Sequence, residues 1–135
     1  MAGVTSPAPK TICLVDDDAS VLKAVGRLLT SAGWVVHTFT EPATFLGYVA
    51  TTRVDLVVLD IWMKQMTGLE VLAHLCSLSP QTRIIILTGR EDDVAKSIAT
   101  QVGAAAFFLK PFDDEEFLGA VRSALASKAG HGTKV

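Results

Sequence analysis

At 135 residues the chain has the length of one ordinary domain, and with half of its residues hydrophobic and a mean hydropathy of +0.41 it suits a sheet buried on both faces. A net charge of −2 excludes a broad basic footprint for nucleic acid, and no apolar run approaches the roughly 20 residues of a bilayer span. The N-terminus has no basic stretch leading into an apolar core, so the expected location is cytoplasmic, with neither membrane nor direct nucleic-acid contact.

Met1 to Pro9 mix small residues with two prolines, and 127–135 are small and polar; both read as tails around an ordered domain expected over 10–126. The first strand is expected over Thr11 to Val15. Val21, Leu22, Val25, Leu28 and Leu29 then recur at helical spacing through Ala19 to Ala32, with Gly33 as the stop. Trp34 to Phe39 read as a second strand, and Pro42 opens a short helix to about Tyr48 or Val49. Val54 to Leu59 form a third strand, after which Gly68 starts a helix with the stripe Leu69, Leu72, Leu75 and Cys76, closed by Pro80.

Arg83 to Leu87 are the most continuous apolar strand and end at Thr88-Gly89, while Asp92 to Val102 are helical but weakly patterned, stopping at Gly103. Ala105 to Leu109 make the fifth strand. Asp113 caps the last helix, with Glu116 three residues on as a capping box and Phe117, Val121, Ala124 and Leu125 as its core stripe. Strict alternation of strands and helices predicts an α/β, doubly wound parallel sheet in one domain, with its ligand site at the carboxyl ends of the strands. Cys13 and Cys76 have no metal-ligand or redox spacing, and both read as buried fillers.

That edge collects chemistry. Asp16, Asp17 and Asp18 close the first strand, Asp60 the third, Thr88 the fourth and Lys110 the fifth. Converging carboxylates repel unless protons or a cation intervene, and a hard divalent ion with oxygen ligands is the usual answer. Asp18, directly before Ala19, reads instead as a helix N-cap.

From about Lys10 to Ala126 the chain resembles the receiver domain of bacterial two-component response regulators, the CheY-like family. The resemblance lies in Val15-Asp-Asp-Asp18, Leu59-Asp60 with Met63, Gly68-Leu-Glu-Val71, Leu87-Thr88-Gly89 and Lys110-Pro-Phe112. It implies a flavodoxin-like sheet in the order 2-1-3-4-5 and makes Asp60 the acceptor of a phosphoryl group from a sensor histidine kinase. Asp16 and Asp17 would hold Mg²⁺ together with Asp60 and the backbone carbonyl of Trp62. Lys110 and Thr88 would meet phosphoryl oxygens, a cis peptide would precede Pro111, and Phe107 would be an aromatic switch residue whose rotation reshapes the face of the fourth helix, fifth strand and fifth helix. That face would act on an output domain or partner, or on a second copy in a phosphorylation-linked homodimer.

The texture of Ala43-Thr-Phe-Leu46 and Lys110-Pro-Phe112 is similar to receivers that precede helix-turn-helix output domains; both a single-domain regulator and a fragment cut at the linker stay open. Phe107 fits a plain core aromatic as well as it fits a switch residue, and Phe108 fits a plain core aromatic better.

Three positions depart from the common pattern. Lys64 stands where many relatives have proline, giving a more mobile, more basic loop; Thr67 replaces Asp or Ser without chemical consequence; and the bulk of Trp62 is expected to shield an acyl phosphate from water, the other reading being a partly exposed aromatic without a kinetic role or a docking contact. Two rivals remain: a degenerate receiver that binds partners without phosphorylation, and an aspartyl-phosphate phosphatase. The latter class wants a second acid two residues after the nucleophile, where Trp62 stands. His37, His74 and His131 join no nucleophile–histidine–acid set, and neither a Walker loop nor a dinucleotide fingerprint is present. The chain is therefore expected to be a regulatory phosphoacceptor, at most catalysing its own phosphorylation and dephosphorylation.

Overall fold

Runs of Val, Ile, Leu and Phe supply the strands of one five-stranded parallel sheet in a computed structural model that describes residues 8–127. Its elements are β1 (Thr11–Val15), α1 (Ala19–Ser31), β2 (Val35–Phe39), α2 (Pro42–Thr51), β3 (Leu56–Leu59), α3 (Gly68–Leu78), β4 (Arg83–Thr88), α4 (Asp93–Val102), β5 (Ala106–Leu109) and α5 (Asp114–Ala126). The order β2-β1-β3-β4-β5 is the flavodoxin-like one, with its switch point between β1 and β3. The expected tails lie almost wholly outside the described residues, as does His131.

Alternating side chains divide the core into two layers. On one face Ile12, Leu14, Val58 and Ile85 pack under α1 and α5, around Phe117. On the other, Val15, Val57, Ile84 and Ile86 pack under α2, α3 and α4, around Phe45. Both phenylalanines are fully buried, and truncating either to alanine would cost about 3–5 kcal/mol. The central strands β1, β3 and β4 are continuously apolar between Ile12 and Val15, Leu56 and Leu59, and Ile84 and Leu87 because both faces are covered.

Helix ends follow local chemistry. Asp18 accepts from the Ser20 N–H at 2.9 Å and so caps α1, as read from the sequence. Gly33 and Gly103 leave α1 and α4 with φ of 102° and 99°, the left-handed region open to glycine.

The reciprocal capping box expected at Asp113 and Glu116 is found instead at Thr67 and Glu70. The Thr67 hydroxyl accepts from the Glu70 N–H, and the Glu70 carboxylate accepts from the Thr67 N–H at 2.8 Å. Thr67 thus has a structural role that its neutral reading missed. At α5 the Asp113 carboxylate accepts from the Glu116 N–H at 2.9 Å, and three acids occupy the first turn, where the helix dipole favours them.

Two further expectations are corrected. Cys76 is exposed, not a buried filler, because the α3 stripe that reaches the core runs through Val71, Leu72 and Leu75. The third strand begins at Leu56 rather than Val54, although the Asp55 N–H already donates to the Thr11 carbonyl and the Asp55 carbonyl accepts from the Arg83 N–H.

Candidate functional site

Parallel pairing brings the strand ends together. Val15 is opposite Leu59 and Thr88 is opposite Leu109, so Asp16 emerges beside Asp60 and Lys110 beside Thr88. Backbone bonds carry the ladder one residue further: the Asp60 N–H donates to the Val15 carbonyl at 3.0 Å, Asp16 to Phe39 at 3.1 Å and Lys110 to Thr88 at 2.7 Å. The side chains that matter are therefore launched from the rigid sheet edge.

Glycine at position 68 lets α3 close against this edge. A Cβ there would lie 2.5 Å from the Asp60 carbonyl oxygen and 2.8 Å from the Ile61 Cα, inside van der Waals contact. The Gly68 N–H donates to the Ile61 carbonyl at 2.8 Å, so the loop from Ile61 to Thr67 is pinned at both ends.

Asp16, Asp17 and Asp60 each offer a carboxylate oxygen within 4.8 Å of the others'. Asp16 and Asp60 are buried, and Asp17 is exposed at the rim. Lys110 reaches across to Asp16, Nζ to Oδ2 at 3.0 Å, with its side chain 22% exposed. The peptide between Lys110 and Pro111 is cis. Thr88 is fully buried and its hydroxyl accepts from the Arg90 N–H at 3.5 Å. Asp16 also accepts from the Asp18 N–H at 2.9 Å, Asp60 from the Trp62 N–H at 3.3 Å and Asp17 from the Lys64 N–H at 3.0 Å. A proline at position 64 could not make that last bond, so Lys64 gives the loop an anchor rather than simply greater freedom.

Burial first, and then the charge of Asp16, raise the Asp60 carboxyl to about 6, against the opposing pull of Lys110. A carboxylate in this state is short of positive charge. The donor set of Asp16, Asp17 and Asp60 is all oxygen, hard and anionic. It fits Mg²⁺ or Ca²⁺, and it lacks the thiolate or imidazole that would favour zinc. Asp16, Asp17, Asp60, Trp62 and Lys110 line one open cleft together with Asp18, Gly89 and Arg90. Asp18 takes its place there as the α1 cap, its carboxyl held below the usual range by the Ser20 hydroxyl and N–H.

The other candidates separate cleanly. Phe107 is half-buried and packs on the α2–α4 layer, whereas Phe108 points to the opposite layer and meets Phe117 edge-on at 5.6 Å between ring centroids. His37 and His74 are exposed and lie away from the cleft. Cys13 is buried, its thiol pushed up to about 12 by desolvation. Arg90, which the sequence reading passed over, stands at the cleft mouth with its guanidinium carbon 4.2 Å from the Trp62 ring centroid. Its place two residues after the threonine was the available signal.

A buried carboxylate flanked by two more, with an amine and an alcohol delivered by neighbouring strands of a doubly wound sheet, defines a class of small acidic signalling domain. The chain belongs to the response regulator receiver domain family, whose model matches residues 12–122, and it is thereby a receiver domain of the two-component type. It is similar to the response regulator protein TodT of Pseudomonas putida, with 38% identity over 120 residues, covering 89% of this chain and 53% of TodT. The chain spans about half the length of the curated relatives it matches.

Among solved structures, it resembles a CheY-like receiver domain protein from Methanospirillum hungatei, with TM-score 0.83 and 25% identity, over 87% of this chain and 94% of that one. It also resembles a response regulator protein from Burkholderia pseudomallei described with a phosphorylated aspartic acid, calcium ion and citrate. There the TM-score is 0.78 and the identity 25%, over 87% of this chain and 69% of that one. Among the described residues no helix is long and apolar enough to cross a membrane.

Proposed function

We propose that Asp60 is the phosphoacceptor of this receiver, taking its phosphoryl group from a histidine of a sensor kinase. The observation that carries the reading is the convergence of the Asp16, Asp17 and Asp60 carboxylates within 4.8 Å, with Lys110 held over the same spot by Asp16. The phosphorylated aspartic acid and the calcium ion of the Burkholderia pseudomallei relative support it. Asp16, Asp17, Asp60 and the Trp62 carbonyl would hold Mg²⁺. When bound, that ion supplies the positive charge that lets three carboxylates coexist with phosphoryl oxygens.

The residues then divide the work. Asp60, largely ionised above about pH 6, attacks phosphorus with a carboxylate oxygen. The new O–P bond forms as the N–P bond of the phosphohistidine breaks, and the departing imidazole takes up a proton. Lys110 transfers its ammonium from Asp16 to a phosphoryl oxygen, and the Thr88 hydroxyl turns to another as charge develops. Attack by water on the acyl phosphate returns Asp60 and inorganic phosphate, slowly, with the Trp62 ring at the cleft mouth hindering entry. No separate substrate is turned over.

Signalling follows from a population shift between two conformers. Thr88 moving toward the phosphoryl group vacates space beside β5, and Phe107, half-buried on that strand opposite Ile86, rotates inward. The face that changes carries Val94, Ile98 and Leu109, at 69%, 38% and 40% exposure. Apolar side chains this exposed suit a partner or output domain, or a second copy of the chain.

Incubation with acetyl phosphate and Mg²⁺, followed by intact mass, tests the reading. One added phosphoryl group, absent without Mg²⁺ and absent in Asp60→Asn, is expected. A constitutive binding module gains none, and a phosphatase hydrolyses the donor many times over without accumulating an adduct; either result would replace the proposal.

A further inference from the structure

Arg90 is a cation unspent on the acids around it. It lines the cleft with four aspartates and only one other cation, Lys110, yet among the described residues it makes no ion pair with any of them. Its guanidinium carbon sits instead 4.2 Å from the centroid of the Trp62 ring, a favourable cation–π arrangement. Lys110, by contrast, is engaged at 3.0 Å with Asp16. The two cations are therefore held differently: one is clamped on the cleft floor, the other rests on an aromatic face at its mouth. The Arg90 backbone is itself tied to the cleft, since its N–H donates to the Thr88 hydroxyl.

A phosphodonor reaching Asp60 brings negative charge into a cleft already lined by aspartates, so its approach is electrostatically opposed until cations are present. A guanidinium presents a planar fork that matches phosphate oxygens bidentately and is weakly hydrated, so it transfers from a ring face to an oxyanion at small cost. The ring restricts the side chain before the anion arrives, which lowers the ordering entropy of capture.

We propose that Arg90 is a phosphate-binding residue of this cleft, held ready on the face of Trp62, which acts as its positioning residue, and that it captures the anionic phosphodonor. The assignment rests on the reading of Asp60 as phosphoacceptor and adds to it a residue that sets donor affinity. Trp62 thereby has a role that bulk alone does not give: its π face, and not only its size, is required.

The test is the rate of phosphoryl gain by intact mass at increasing acetyl phosphate, with saturating Mg²⁺, the titration being repeated at several ionic strengths each held constant. Arg90→Ala is expected to raise the half-saturating donor concentration about five- to tenfold with the maximal rate changed less than about twofold, and to flatten the salt dependence; Arg90→Lys recovers part of the affinity. Trp62→Leu keeps an apolar side chain without a π face and is expected to raise the half-saturating concentration about two- to fivefold, whereas Trp62→Phe stays near wild type.

Unchanged half-saturation in Arg90→Ala overturns the proposal, as does an equal effect of Arg90→Ala and Arg90→Lys, which would mark a packing defect. Unchanged half-saturation in Trp62→Leu overturns the positioning role. If the wild-type chain gains no phosphoryl group at all, it is the phosphoacceptor reading that has failed, and both proposals fall together.

Discussion

Replacing Asp60 by asparagine keeps the side chain's shape and removes its charge, so in metal-free buffer Asp60→Asn is expected to stabilise the fold. Burial and then the Asp16 charge raise this carboxyl from 3.8 to about 6. A folded-state value above the unfolded one means that the folded protein holds the proton more tightly. The stability this contributes is fully present below about pH 3.8 and is lost as pH rises through about 6. About two pH units at ~1.4 kcal/mol each cap the loss at ~3 kcal/mol. Relaxation of the site brings the expected gain of the variant to ~1–3 kcal/mol at about pH 7.5, shrinking toward zero near about pH 4.

Urea denaturation with EDTA at several pH values measures it, comparing midpoints at a shared m-value. Adding Mg²⁺ is expected to reverse the order. At a hundredfold excess over its dissociation constant the ion adds about 2.7 kcal/mol to the wild type, and much less to a variant with one carboxylate fewer. A variant less stable than wild type in EDTA near neutral pH, or a gap that fails to narrow on acidification, would mean that the folded protein does not hold the Asp60 proton more tightly than the unfolded chain.

Lys110→Ala frees Asp16 from its ion pair, so calorimetry is expected to show Mg²⁺ binding about three- to tenfold tighter while phosphoryl gain slows; equal or weaker Mg²⁺ binding would mean that the lysine and the ion do not compete. Gly68→Ala forces a methyl group against the Asp60 and Ile61 backbone and is expected to cost about 1–3 kcal/mol in denaturation, with impaired phosphorylation; wild-type behaviour would mean that α3 does not close on the loop as tightly as described. Trp62→Ala is expected to shorten the life of the acyl phosphate several-fold, read as phosphate release after removal of the donor. A maleimide should label exposed Cys76 in the native protein and leave Cys13 untouched until urea is added, the buried thiol being pushed up to about 12.

The sheet and its acidic edge were legible because they are written in local patterns. β-branched runs ending in aspartate, threonine or lysine name both the strand and the residue it delivers, and the parallel register converts that list into a place. The resemblance of the spaced motifs to receivers supplied the order of the strands.

What was not legible depended on packing across the chain. Cys76 fits a helical stripe by spacing, but the stripe of α3 that is buried runs through Val71, Leu72 and Leu75 and leaves Cys76 exposed. Asp113 and Glu116 have the spacing of a capping box, as do Thr67 and Glu70, and only the loop's approach decides which pair closes reciprocally. Arg90 is marked in the sequence only by its place two residues after the threonine and acquires meaning from a ring 28 residues earlier, brought over the same cleft by a different loop. The bond from the Lys64 N–H to Asp17 likewise joins two loops that the sequence presents as unrelated.

Asp60 acting as the nucleophile would leave a chemical trace at one carboxylate alone. Acyl phosphates are reduced by borohydride to the alcohol, so treating the Mg²⁺ and acetyl phosphate reaction with borohydride and sequencing the peptides by mass spectrometry reports the acceptor directly. Homoserine is expected at position 60 and at no other aspartate, dependent on both Mg²⁺ and donor. Homoserine at position 16 or 17 with position 60 intact would contradict Asp60 as the nucleophile.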